Sequence, residues 1–220
     1  MSITPESVSA LLDSHDFGDR LRAVNQIRQL DPAIGFTLIQ KVMEDNNPRV
    51  RYAAVSQLSS LGQQDRSRSK ELLRDRLRDS EADVQAAAAD TIGALKLTEF
   101  FEDLQHLYQT SSEWLVRFSI IAALGELGDQ RALVLLQDAL QSQNELMQTA
   151  AIGSLGELGD DRAIPLLTPF AQNSDWQIRY RVAQALSRFN SPEAQSTLEL
   201  LAQDEMEQIA QEAKSSLTSS

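Results

Sequence analysis

A unit of about 31 residues is written seven times along this chain. Aligned on Asp19, Val50, Val84, Val116, Met147, Ile178 and Ile209, the copies are 31, 34, 32, 31, 31 and 31 residues apart. Four places after each anchor stands Ala23, Ala54, Ala88, Ile120, Ala151, Val182 or Ala213. Eight places after it stands Ile27, Leu58, Ile92, Leu124, Leu155, Leu186 or Leu217. A short unit cannot bury its apolar face alone, so copies at a fixed period must stack on one another. The predicted fold is all-α: an α-solenoid, wound as a right-handed superhelix, of about seven helical hairpins. The expected repeats are roughly 4–30, 32–62, 67–96, 98–128, 130–159, 161–190 and 191–217 of one array over 1–220.

Each hairpin has a well-marked second helix. In repeat two it is expected from Pro48 to Leu61, with Asn47 as N-cap and Pro48 in the first turn. Gly62, Gly128 and Gly159 are expected to end such helices, and Asp129 and Asp160 to cap the next ones. The first helices are expected near Pro5–Leu12 and over 32–44, 67–78, 98–109, 131–140, 162–172 and 192–202. Pro165 and Pro169 fall inside theirs and should kink or shorten it. Small residues such as Ala54, Ala88 and Ala151 suit close packing of second helices. Lys214 stands where the other copies have Val24, Val55, Ala89, Ile121, Ile152 and Ala183, as befits a polar end unit. Thr218, Ser219 and Ser220 are expected to fray.

A polar row accompanies the apolar one. Asp16, Asn47, Glu81, Glu113, Asn144 and Asp175 lie three before their anchors. Arg20, Arg51, Gln85, Arg117, Gln148 and Arg179 lie one after. An acid and an Arg four apart near a helix start can pair, and the acid or amide can also cap its helix. The same side chains can instead bond into the adjacent repeat. The main reading is a ladder that caps helices and sets register. The alternative is an anion site of Arg51, Arg117 and Arg179.

Composition excludes several functions. The net charge of −12 disfavours phosphate backbones and anionic membranes, so nucleic acid is not an expected partner. The absence of Cys excludes disulfides, thiolate metal sites and a Cys nucleophile. No apolar run has transmembrane length, so no integral membrane association is expected. The start, Met1-Ser2-Ile3-Thr4-Pro5-Glu6, lacks a basic region followed by an apolar one. No secretory signal is expected, and a cytoplasmic location is. No metal site is expected either: His15 and His106 lie in different repeats without companions. There is no phosphate-cradling glycine loop and no nucleophile elbow, and no catalytic residue is assigned. Glu126 and Glu157 recur in Leu-Gly-Glu-Leu-Gly-Asp, which marks repeat grammar and not a carboxylate pair.

The candidate binding residues are aromatic. Trp114 and Trp176 both lie two before an anchor, and Tyr52, Phe118 and Tyr180 two after one. Arg181 follows Tyr180, with Gln184 a turn further on. Aromatics beside Arg suit either a protein hot spot or a flat conjugated ligand. The plainer reading is that the two Trp side chains close the turns between repeats.

Segments such as Asp129-Gln130-Arg131-Ala132-Leu133 and Asp160-Asp161-Arg162-Ala163-Ile164-Pro165-Leu166-Leu167 resemble HEAT repeats of the phycobilisome-lyase type. Met1–Val8, 49–58 and 83–90 are similar to the NblB family of cyanobacterial phycobilisome degradation proteins. That resemblance implies phycobiliproteins as partners, association with phycobilisomes and a role in dismantling antennae under nutrient stress. It also implies transient contact with phycocyanobilin, with no resident cofactor. Three readings follow: a phycobiliprotein-binding adaptor, a bilin-detaching or lyase-like enzyme, and a scaffold for another partner. In the second, Trp114, Tyr180 and Arg181 would face the chromophore, with Arg on its propionates.

Overall fold

The computed structural model describes residues 3–219. Met1 and Ser2 of the resembling N-terminal segment, and Ser220 of the expected frayed end, lie outside them. Thr218 and Ser219 belong to the last helix.

The described residues form helices joined by short turns. The first helices of the hairpins are α1 (Pro5–Leu12), α3 (Pro32–Ile39), α5 (Arg66–Arg76), α7 (Phe101–Thr110), α9 (Leu133–Leu140), α11 (Ile164–Leu167) and α13 (Pro192–Leu201). The second helices are α2 (Phe17–Ile27), α4 (Pro48–Leu61), α6 (Ala82–Ala94), α8 (Trp114–Leu127), α10 (Glu145–Leu158), α12 (Trp176–Leu186) and α14 (Glu207–Ser219). The numbers run in chain order, so each hairpin is an odd helix followed by an even one. This is an α-solenoid.

Two compact units are distinguishable. One holds the residues up to Leu95 with Thr110–Ser119, the other Lys96–Gln109 with the residues from Ile120 onward. In the first, α2 packs on α4 and α4 on α6. In the second, α10 packs on α12 and α12 on α14. The anchors from Val50 on are buried, and the stripe residues Ala54, Ala88, Ala151 and Ala213 are sealed from solvent. Lys214 is exposed, in keeping with an end unit.

The caps follow the sequence. Asn47, Asn144 and Asp175 accept backbone N–H bonds at the starts of α4, α10 and α12. Asp129 and Asp160 cap the short 3-10 turns before α9 and α11. Glu81 makes no side-chain cap bond. Pro165 and Pro169 have the expected effect: α11 is four residues long and continues as a 3-10 stretch over Thr168–Gln172.

Gly62 ends α4 as expected, but by a different geometry from the other two glycines. Its φ is −64°, so it is not a left-handed cap. A Cβ there would come within 2.7 Å of a Leu95 methyl, so it is the packing that favours glycine. Gly128 and Gly159 are left-handed, with φ of 70° and 65°. Lys96 occupies the equivalent place in its repeat and is forced to φ 51°. A Cβ in that region costs roughly 1–2 kcal/mol. Lys96→Gly is therefore expected to raise stability by about 1 kcal/mol, after the entropy that glycine adds to the unfolded chain. Urea unfolding checks this, and an unchanged or lower midpoint would refute the strain.

The ladder is built differently from an i,i+4 pairing. Arg20 grips Asp45 through Nε and Nη2 at 2.6 and 2.9 Å. Arg51 grips Asp79 at 2.8 and 2.7 Å, and Arg179 grips Asp204 at 2.6 and 3.0 Å. Each Asp lies in the turn before the second helix of the following repeat. The remaining Nη1 of each Arg donates to carbonyls of its own preceding turn, at Ser14, Asp45 and Asn173. Asp16, Asn47 and Asp175 are occupied as caps, which is why the Arg reaches onward. With Arg51 and Arg179 held by carboxylates in this way, the anion site does not form.

Candidate functional site

In the first unit a groove of about 430 Å³ runs across three second helices. Pro48, Arg49 and Tyr52 of α4 form one wall, and Leu115 and Ser119 of α8 the other. Ala86 and Ala87 of α6 form the floor, and Asp90 lies one turn beyond them. The repeat register explains the opening. The place two after the anchor is Tyr52 in repeat two and Phe118 in repeat four, but Ala86 in repeat three. The small side chain of Ala86 beside Tyr52 leaves a trough, which Leu115 and Ser119 close on the far side.

The groove is chemically mixed. Arg49, Tyr52, Glu81 and Asp83 are exposed along it, so acids outnumber its one cation. Asp90 opens to the groove, yet its carboxyl is crowded by protein. Burial pushes it above the usual carboxylate range, and a hydrogen bond with Ser119 offsets this only in part. The carboxyl keeps further acceptor capacity on the groove side beyond its bond with Ser119. Among the described residues no group of three or more His, Asp or Glu is placed to hold a metal ion.

The candidate aromatics fall in different places. Tyr52, Trp114 and Trp176 expose 48%, 55% and 38% of their surface, so each presents part of its ring to solvent. Trp114 meets Phe118 edge-on, ring centres 6.5 Å apart, on the first turns of α8 beside the groove. Trp176, Tyr180 and Arg181 belong to α12 in the second unit. There the Tyr180 hydroxyl donates to Glu212 at 3.4 Å, and Arg181 donates to Gln184 at 3.1 Å. Tyr180 is half-buried, so its ring is less available than Tyr52.

Two features were missed in the sequence. Phe17, the first residue of α2, stands two before its anchor like both Trp residues and is 43% exposed. The positional signal was present. Ala86 and Asp90 were missed because a groove is marked by a small residue where its neighbours are large.

A model of HEAT repeats matches residues 4–83, 70–155 and 134–218. The chain belongs to the HEAT-repeat family. A search of curated proteins finds no match. Solved HEAT-like structures do resemble it. A chain from the complex of CpcE and CpcF of phycocyanin lyase from Nostoc sp. PCC7120 is 20% identical, with a TM-score of 0.65, over 100% of this chain and 95% of that one. YibA of E. coli is 15% identical at 0.60, over 99% and 93%. The archaeal HEAT-like repeats protein of Thermococcus onnurineus NA1 is 14% identical at 0.57, over 99% and 97%. At these identities the likeness establishes the HEAT fold. No helix among the described residues is long and apolar enough to cross a membrane.

Proposed function

We propose that this HEAT-repeat protein binds phycobiliproteins and acts in phycobilisome degradation under nutrient stress. The observation that carries the reading is the first-unit groove, where Tyr52, Arg49 and Asp90 line an alanine-floored trough beside Trp114 and Phe118. A linear tetrapyrrole has flat rings, N–H donors and carboxylate arms. Tyr52 offers a ring face, Asp90 an acceptor and Arg49 a fork for a propionate. The fold likeness to a chain of the phycocyanin lyase complex supports this reading, as do the resembling segments 49–58 and 83–90, which contribute residues to one wall and the floor of the groove. Trp114 and Phe118 extend the proposed partner surface within the first unit, and Trp176, Tyr180 and Arg181 are proposed as a separate contact on the second.

A second reading, detachment of covalently held phycocyanobilin, is favoured by Asp90. Breaking such a bond calls for a proton donor or acceptor at the reacting atoms, and a carboxyl shifted upward by burial is better suited to that task than an ordinary one. Mixing the chain with phycocyanin and following visible absorbance separates the readings. Binding with an unchanged spectrum supports the adaptor, and free bilin supports detachment. No association at all refutes both. Tyr52→Ala and Trp114→Ala are each expected to weaken phycocyanin binding about tenfold, the size of an aromatic hot spot. Unaltered affinity in a folded double variant would remove the groove from the partner surface.

A further inference from the structure

A second opening lies in the other unit and on first helices. Between α11 and α13 is a cleft of about 780 Å³. One side is α11 with its 3-10 continuation, narrowed by Pro165 and Pro169, and the other is the start of α13. Ile164, Pro165, Pro169 and Pro192 give it apolar sides.

Its polar groups are all acceptors or acceptor-rich. Thr168 and Thr197 place their hydroxyl oxygens 3.3 Å apart. The same hydroxyls also reach carbonyls of their own helices, Ile164 at 3.0 Å and Glu193 at 3.1 Å. Two protons must serve three bonds, so the pair keeps lone pairs to offer. Thr197 is itself buried. The charged residues lining the cleft are Asp161 and Glu193, both exposed acids. The neighbouring cation, Arg162, is held by Asp160 at 2.6 Å and does not neutralise them.

The geometry points to a docking site for a lysine side chain carried by an extended segment of a partner protein. An apolar cleft with only negative charge at its rim is complementary to a cation on an aliphatic stem. The methylenes lie against the prolines. The ammonium, with three donors and no acceptor, meets Asp161, Glu193 and the threonine pair.

Titration of the full-length chain with the capped tripeptide acetyl-Leu-Lys-Leu-amide, followed by amide NMR, tests this without any phycobiliprotein. Shifts are expected at Ile164, Thr168, Ser196 and Thr197, and they should weaken at high salt. The norleucine analogue should bind several-fold less. The double variant Asp161→Asn, Glu193→Gln should bind the lysine peptide roughly fivefold to tenfold less, from two exposed charge contacts. Equal shifts from both peptides, or shifts confined to other regions, would overturn the proposal on the unmodified protein alone. An unchanged affinity in the double variant with an intact helical spectrum would do so independently.

Discussion

Asp79→Ala is expected to lower the unfolding free energy by about 3 kcal/mol or more. The Asp79 carboxylate accepts from Arg51 at 2.7 and 2.8 Å, from Arg76 at 3.1 Å and from the Glu81 N–H at 3.1 Å. Its side chain is 3% exposed, and those of Arg51 and Arg76 are 12% and 16% exposed. Removing one partner of a buried pair leaves the other charge uncompensated, which costs about 3–5 kcal/mol. A surface pair lacks that penalty. Glu71→Ala, which frees Arg68 from a contact between two well-exposed side chains, should cost under about 1 kcal/mol. Urea unfolding at neutral pH compares the two. A loss at Asp79 no larger than at Glu71 would mean the ladder sets register without holding the fold.

The same carboxyls give the acid response its direction. Burial alone would raise Asp45 and Asp79. Their Arg partners, the turn N–H bonds and the nearby guanidinium charges outweigh it and hold both below the usual range. Arg179 does the same for Asp204. A carboxyl depressed in the folded state adds stability that is fully present above its unfolded pKa of about 4. That stability is lost as pH falls through the folded value. Asp79→Ala should therefore narrow the gap in stability between neutral and acid solution, because one of the depressed carboxyls is gone.

The fold was largely legible because a stacked repeat writes each structural demand several times. Asn47, Asn144 and Asp175 cap as their type and place require, and the anchor stripe is buried as its spacing requires. The ladder was legible only in part. Local reasoning pairs side chains within one helix, whereas Arg20, Arg51 and Arg179 look 25, 28 and 25 residues ahead. A cross-repeat signal was there: the place five before the anchor holds Asp45, Asp79 and Asp204, each following a repeat with Arg in the ladder place. It holds Ser111 and Asn173 after Gln85 and Gln148, and Ser142 after Arg117 breaks the correlation. The groove was hidden for a different reason. Tyr52 announces itself, but Ala86 matters by lacking a ring, and the upward shift of Asp90 depends on how closely neighbouring chain crowds it.

Glycine shows the same division between local and tertiary causes, and it yields a paired test within one helix. Gly156 and Gly153 both lie inside α10. A Cβ on Gly156 would stand 2.7 Å from the Ala185 Cα and 2.9 Å from its Cβ, on α12. Those are atoms of a helix backbone and its first side-chain carbon, so no rotamer change relieves the clash and the helices must part. Gly156→Ala is expected to cost about 1–3 kcal/mol, the range for overpacking. Gly125 meets Ser154 on α10 in the same way, one repeat earlier. At Gly153 a Cβ meets nothing within 4 Å. There only helix propensity acts, and Gly153→Ala should stabilise by roughly 0.5–1 kcal/mol. Thermal unfolding of the two variants should move in opposite directions. Movement in the same direction would show that the spacing of α10 and α12 does not depend on the missing side chain.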